Sequence, residues 1–202
     1  GCGMTLRRWL ILRLEGPLLS FGGVAIDQVG VTRDFPAASM LTGLIANALG
    51  YCRTDALAHQ RLQDRLVFAA RRERENPLGL LTDTQNAQLG KNDEGWTTRG
   101  RPEGRAGASY GAPHRRLRDY HADACVTVAL GLREPEEEPE LDRIAAALDR
   151  PARPLFIGRK PCLPSSRILL NPKEAVEAEN AYDALRAGAA ANPGGNGNGG
   201  LR

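Results

Sequence analysis

Ala124-Cys-Val-Thr-Val-Ala-Leu-Gly-Leu132 is the clearest strand in the chain, an apolar run of small and β-branched residues. Working outward from it, Trp9-Leu-Ile-Leu-Arg-Leu14 reads as a buried first strand closed by Gly16-Pro17. Leu66–Arg71 reads as a further strand, Leu78–Leu81 as a short one and Arg167–Leu170 as the last. Helices fall between them. Met40, Leu41, Leu44, Ile45, Ala48 and Leu49 share one helical face behind Ser39, which can cap that helix, and Gly50 stops it. Asp55 caps a second helix running through Arg65. The acidic run Glu134–Asp142 reads as the solvated start of a third helix, complementing its dipole, with Leu141, Ile144, Ala145 and Leu148 at helical spacing. Asn171-Pro172-Lys173-Glu174 supplies a cap, a first-turn proline and an acid for a final helix ending near Gly188.

The order is strand, helices, strands, long insertion, strand, helix, strand. It predicts an α+β, ferredoxin-like fold with an insertion. The insertion, Thr82–Tyr120, loses the hydrophobic pattern and carries Gly90, Gly95, Gly100, Gly104, Gly107 and Gly111. It is too long for an ordinary connection in a compact domain, so it is either functional or disordered. Asn192–Gly200 is nearly all Gly and Asn and reads as a flexible tail. The chain therefore divides into a body of residues 4–81 and 121–188, an insert of residues 82–120 and a tail of residues 189–202.

With 202 residues, 42% of them hydrophobic, the chain can bury a core in one domain with an extension. The formal charge of +3 does not announce a nucleic-acid binder, but its distribution is uneven. Residues 1–121 hold 17 Lys+Arg against 12 Asp+Glu, whereas residues 122–202 hold 10 against 12. Local patches steer a polyanion even when the total charge is small. No apolar run is long enough for a bilayer and no secretory signal precedes the first strand, so a cytoplasmic protein is expected. Gly1-Cys2-Gly3, ahead of Met4, is left out of the fold reasoning. Cys52, Cys125 and Cys162 have no metal-ligand spacing and read as buried thiols; no metal or cofactor is expected.

Three stretches carry the chemistry of an anion site. Phe156-Ile-Gly-Arg-Lys-Pro-Cys162 places Gly158, Arg159 and Lys160 in an apolar turn, where a glycine admits a ligand closely and a fork donor and a point charge follow it. Arg99, Arg101, Arg105, Arg115, Arg116 and Arg118 cluster between Trp96 and Tyr120, with Glu103 the only acid between Trp96 and Arg118. Arginine favours phosphate forks and stacking, and the interleaved Trp96, Tyr110 and Tyr120 are candidates to stack on unpaired bases. The Ser39 helix offers a positive N-terminus just after Arg33, with Ser39 and Thr42 as hydroxyl donors. His59, His114 and His121 are the only histidines. His114 and His121, with Tyr51, Tyr110 or Tyr120, form a conceivable metal-free acid/base set for RNA cleavage, although no nucleophile triad or paired carboxylates accompany them.

Five segments taken together resemble the CasD family of the type I-E CRISPR surveillance complex Cascade. They are Leu10–Gly22 (LILRLEGPLLSFG), Phe35–Gly50 (FPAASMLTGLIANALG), Thr82–Leu89 (TDTQNAQL), Arg118–Leu130 (RDYHADACVTVAL) and Pro154–Cys162 (PLFIGRKPC), in the family's order. The resemblance implies a modified RNA-recognition palm and a protruding thumb, the latter falling on Thr82–Tyr120. It implies a subunit that holds the 5′ handle of the CRISPR guide RNA. Its implied neighbours are the CasC backbone subunit and the large CasA subunit, with target DNA reached indirectly through the complex. It also implies no catalytic residue, because a separate CasE subunit cuts the precursor; relatives in type I-C do cut RNA, which keeps a metal-independent endoribonuclease as the alternative. The Gly/Asn tail matches nothing in the family. An unrelated interaction module is the third reading, and the absence of co-purifying RNA would single it out.

Overall fold

The computed structural model describes residues 6–23, 25–26, 29–77, 79–87, 95–96, 102–103, 114–170 and 175–190. In chain order the elements are β1 (Arg7–Leu19), β2 (Ala25–Ile26), β3 (Val29–Gly30), α1 (Ala38–Leu49), α2 (Ala56–Arg65), β4 (Leu66–Arg74), β5 (Leu80–Ala87), β6 (Gly95–Trp96), β7 (Pro102–Glu103), β8 (His114–Leu132), α3 (Leu141–Asp149), β9 (Val176–Ala178) and α4 (Ala181–Ala190). The fold is α+β, built on a mixed seven-stranded sheet.

β8 is the axis of that sheet. Along one edge it pairs antiparallel with β1, from Leu10↔Leu130 to Leu19↔His121. Its other edge is shared end to end by β4, reaching Leu66↔Leu132, and by β5, from Leu80↔His121 to Ala87↔His114. β9 extends the far side of β1 through Arg7↔Ala178, and β3 lies parallel to β8 at Val29↔Leu117. Across the wide end the order is thus β9–β1–β8–β4.

One face carries the main core. Leu10, Leu12 and Leu14 of β1 and Val126, Val128 and Leu130 of β8 pack against Leu41, Leu44 and Ile45 of α1 and Ile144 and Leu148 of α3. The alternate positions Trp9, Ile11 and Ala129 meet Ala184 and Leu185 of α4 on the opposite face. This is the period-two division of a strand between two layers. Each fully buried Leu or Ile contributes about 1.5–3 kcal/mol.

Several expectations are corrected. β8 begins at His114, not Ala124, because the residues before Tyr120 form a polar arm paired with β5 beyond the core. The insert and the body therefore share two continuous strands. Helix α1 is capped by Ala37 without a side-chain bond, and Ser39 sits exposed inside its first turn; Gly50 ends it in the left-handed conformation, as expected. Asp55 stands at the N-cap of α2, but its carboxylate accepts from the Cys52 N–H instead. Arg167–Leu170 contributes a single bridge, Leu12↔Leu169. The final helix starts at Ala181; residues 176–178 pair with β1, while residues 171–174 lie outside the described residues.

The acidic run is a loop, not a helix start, apart from Asp142 in the first turn of α3. Arg65, 1% exposed, holds that loop by donating to the carbonyls of Arg133, Glu134, Glu137 and Pro139, and Arg61 pairs with Glu134 and Glu137. Cys125 and Cys162 are buried, but Cys52 is exposed. No described helix is long and apolar enough to cross a membrane, and no described group of three or more His, Cys, Asp or Glu residues is placed to hold a metal.

Candidate nucleic-acid interface

Residues 30–36 enter α1 as a loop whose backbone is fastened from several sides. Arg159 Nη2 donates to the carbonyls of Gly30 (3.1 Å) and Val31 (3.3 Å). His121 Nε2 lies 2.8 Å from the Arg33 carbonyl; since a carbonyl only accepts, that nitrogen carries the proton. The Arg33 N–H donates to the Gly22 carbonyl at 2.8 Å, and Arg72 Nη2 donates to the Asp34 carbonyl at 2.9 Å. With its carbonyls occupied, the loop presents the Arg33 and Phe35 side chains to solvent.

The Gly158-Arg159-Lys160 turn sits beside this loop. Ile157 N–H donates to the Cys162 carbonyl at 2.7 Å, and Ser20 N–H donates to Ile157 at 3.2 Å, tying the turn to the end of β1. Gly158 has φ +90°, and a Cβ there would stand 1.8 Å from the Ser20 carbonyl oxygen. Only glycine fits. Arg159 turns inward: Nη1 donates to the Asp119 carbonyl at 2.8 Å and Cζ lies 5.0 Å from the centre of the Tyr120 ring. Lys160, the next residue, is exposed.

Strand alternation sorts the arginines of β8. Arg116 and Arg118 share a face with Tyr120, while Arg115 projects from the opposite face with Leu117 and Asp119. Arg118 lies over Gly30, where an added Cβ would stand 2.4 Å from Arg118 Nη1 and 3.1 Å from Arg159 Nη2. Gly30 thereby lets two guanidinium groups approach one point of the backbone.

Several arginines elsewhere in the described fold are matched with acids, among them Arg8 with Asp142 (2.6 Å), Arg71 with Glu73 (2.6 Å) and Arg74 with Glu15 (2.9 Å). In contrast, no described carboxylate lies within ion-pair distance of Arg33, Arg115, Arg116, Arg118, Arg159 or Lys160. The sheet and the two loops therefore gather cations that are not tied up in ion pairs, an arrangement suited to a polyanion, although Asp83 stands opposite Arg118 in the ladder. The start of α1 adds to it, since that first turn holds neither an acid nor a side-chain cap.

The remaining candidates are placed differently. Thr42 is buried and its hydroxyl donates to the Ala38 carbonyl at 2.8 Å, which uses its one proton. Tyr120 is 2% exposed beneath Arg159, so its ring is closed to a base. His121 is 3% exposed and its ring lies 4.8 Å from that of Phe21. Tyr51 and His59 pack edge to face on each other. Arg99, Arg101, Arg105 and Tyr110 lie outside the described residues, and Trp96 is described only as a backbone position of β6 paired with Pro102. Sequence reasoning passed over Arg72 and His121 as clamps of the loop, because they act across 38 and 88 positions of chain and leave no local signal. It also passed over Phe35 as an exposed ring, although an aromatic before a helix beside Arg33 was visible.

Residues 9–194 match the family model described as CRISPR-associated protein (Cas_Cas5). The CRISPR system Cascade subunit CasD of Escherichia coli (strain K12) is 28% identical over 176 residues, which are 87% of this chain and 76% of the relative. A chain of a solved CRISPR RNA-guided surveillance complex superposes with a TM-score of 0.62 at 28% identity, covering 82% of this chain. The match spans 63% of the length of that complex's chain. A solved crystal structure of a Cas protein superposes with a TM-score of 0.52 at 25% identity, covering 88% of this chain and 69% of the other.

Proposed function

The chain belongs to the CRISPR-associated Cas5 family, and from that premise we propose that it is the subunit of a CRISPR surveillance complex that grips the 5′ handle of the guide RNA. The body, residues 4–81 and 121–188, acts as the palm and residues 82–120 as the thumb. The order β9–β1–β8–β4, with helices over one face, supports reading the palm as a ferredoxin-like, modified RNA-recognition fold. RNA phosphates meet Arg33, Arg116, Arg118 and Lys160 near the start of α1, and Arg115 serves the opposite face of the arm. Arg159 and Gly158 shape the turn that carries Lys160. The arginines of the insert, Arg99, Arg101 and Arg105, belong to the same proposal as thumb contacts.

The observation that carries this reading is the approach of Arg118 and Arg159, neither with a described ion pair, to Gly30 in the loop that bears Arg33. The proposed neighbours are a CasC-type backbone subunit and a CasA-type large subunit, with target DNA engaged only through the assembly. No catalytic step is assigned to this chain. His121 is occupied by a carbonyl and a ring stack, which favours a structural role over acid/base work.

The test is to purify the tagged full chain from its host and sequence the small RNA that accompanies it. Enrichment of guides sharing one repeat-derived 5′ end is the expected outcome. Recovery of the chain without any such RNA would contradict the proposal.

A further inference from the structure

Phe35 is 46% exposed, unusual for an aromatic side chain on a loop fastened so firmly. Arg72 lies over its ring at 5.0 Å, and that guanidinium is itself fixed by the Asp34 carbonyl and by Glu75. The ring is thus held on one side and partly open to solvent. Two residues upstream is Arg33, which has no described carboxylate partner, and two residues of chain span at most about 7 Å.

From these placements we propose that Phe35 is a stacking platform for one unpaired nucleobase of the RNA, with the adjoining phosphate directed to Arg33. The inference rests on the guide-RNA reading above and assigns a base contact within it. A base offers a flat π-face at the ring and a negative charge within a few ångströms, which is what this pair of side chains matches. A protein partner fits less well. Arg72 with its partner Glu75 lies over the ring, and Arg33 and Asp34 precede it in the chain, so an apolar surface covering it would desolvate charges too. Because Arg72 and the loop clamps already orient the ring, a base docking on it orders little that is not ordered beforehand. Tyr120, which sequence spacing had marked for stacking, is covered by Arg159, and Phe35 takes that role.

The test uses the full chain and a synthetic single-stranded RNA with the 5′ end of the host's mature guide, intact or with one nucleotide at a time made abasic. Phe35→Ala and Phe35→Leu should weaken binding of intact RNA by roughly 5-fold to 140-fold, the range that ~1–3 kcal/mol of base–aromatic stacking gives at about 1.4 kcal/mol per tenfold. The slope of affinity against salt should stay unchanged, since every phosphate keeps its cation. Phe35→Trp should restore binding, and its fluorescence should be quenched by the RNA. One abasic position should weaken the wild type but not Phe35→Ala, which identifies the stacked base. If the wild type binds and Phe35→Ala binds equally well, or if no abasic position couples to Phe35, the platform is refuted while the guide-RNA reading stands. If the wild type fails to bind the intact RNA, the reading itself fails and the platform with it.

Discussion

Arg159 and Lys160 are neighbours in one turn, yet their surroundings give them opposite work. Arg159 satisfies the carbonyls of Gly30, Val31 and Asp119 and covers Tyr120, so its loss strands partly buried acceptors and loosens the loop before α1. Arg159→Ala should lower the unfolding free energy by about 1–3 kcal/mol in urea titration. Lys160→Glu should leave that stability within about 0.5 kcal/mol and weaken RNA binding instead. A Lys160→Glu chain that is as destabilised as Arg159→Ala would show that the lysine is structural too. The cysteines divide in the same manner. Burial pushes the Cys125 and Cys162 thiols up, with Arg13 and Arg159 only partly offsetting it, and raised thiols hold little thiolate near neutrality. Native alkylation at pH 7.5 (a typical assay value, roughly one unit below an ordinary thiol), mapped by mass spectrometry, should label Cys52 and spare both buried cysteines.

At the scale of elements, the buried half of β8 was legible because Val126, Val128 and Leu130 face the core and announce it. The exposed half was not. Hydrophobic pattern reports burial, whereas Arg115–Asp119 are held by a backbone ladder with β5 that needs no apolar face. The last helix shows the complementary difficulty. Asn171-Pro172-Lys173-Glu174 reads as a helix start, yet the helix begins only at Ala181. Tertiary contacts override the local signal: Val176–Ala178 pairs with β1, and Trp9 Nε1 donates to the Ala178 carbonyl at 3.0 Å. The helix then begins where Asn180 Oδ1 accepts from the Asp183 N–H at 3.0 Å and Asn180 Nδ2 returns a bond to the Asp183 carboxylate at 2.8 Å. Asn180→Ala should cost about 1 kcal/mol of stability. No loss on denaturant titration would place the effective cap elsewhere.

Across the whole molecule, composition hides the feature that matters. A formal charge of +3 is unremarkable, but the fold pairs several peripheral arginines, such as Arg8, Arg71 and Arg74, with acids and brings cations of three distant segments together without an ion pair. The Gly-Arg-Lys turn and the run of arginines were visible in the sequence as separate hints. Their convergence on Gly30 was not, because it depends on β3 running parallel to β8 and on the turn at Gly158 closing against Ser20. Pairing elsewhere also makes a distinct statement about specificity: binding should vanish with the unmatched cations and be indifferent to surface arginines such as Arg8. The most direct measurement is the salt dependence of guide-handle RNA binding by the full chain and by an Arg33→Gln, Arg116→Gln, Lys160→Gln triple variant, with Arg8→Gln as the control. The triple variant should bind more weakly and its log–log slope should flatten by up to about 0.7 for each phosphate no longer neutralised, while Arg8→Gln keeps the wild-type slope. Equal affinities and equal slopes in all three chains would contradict the account.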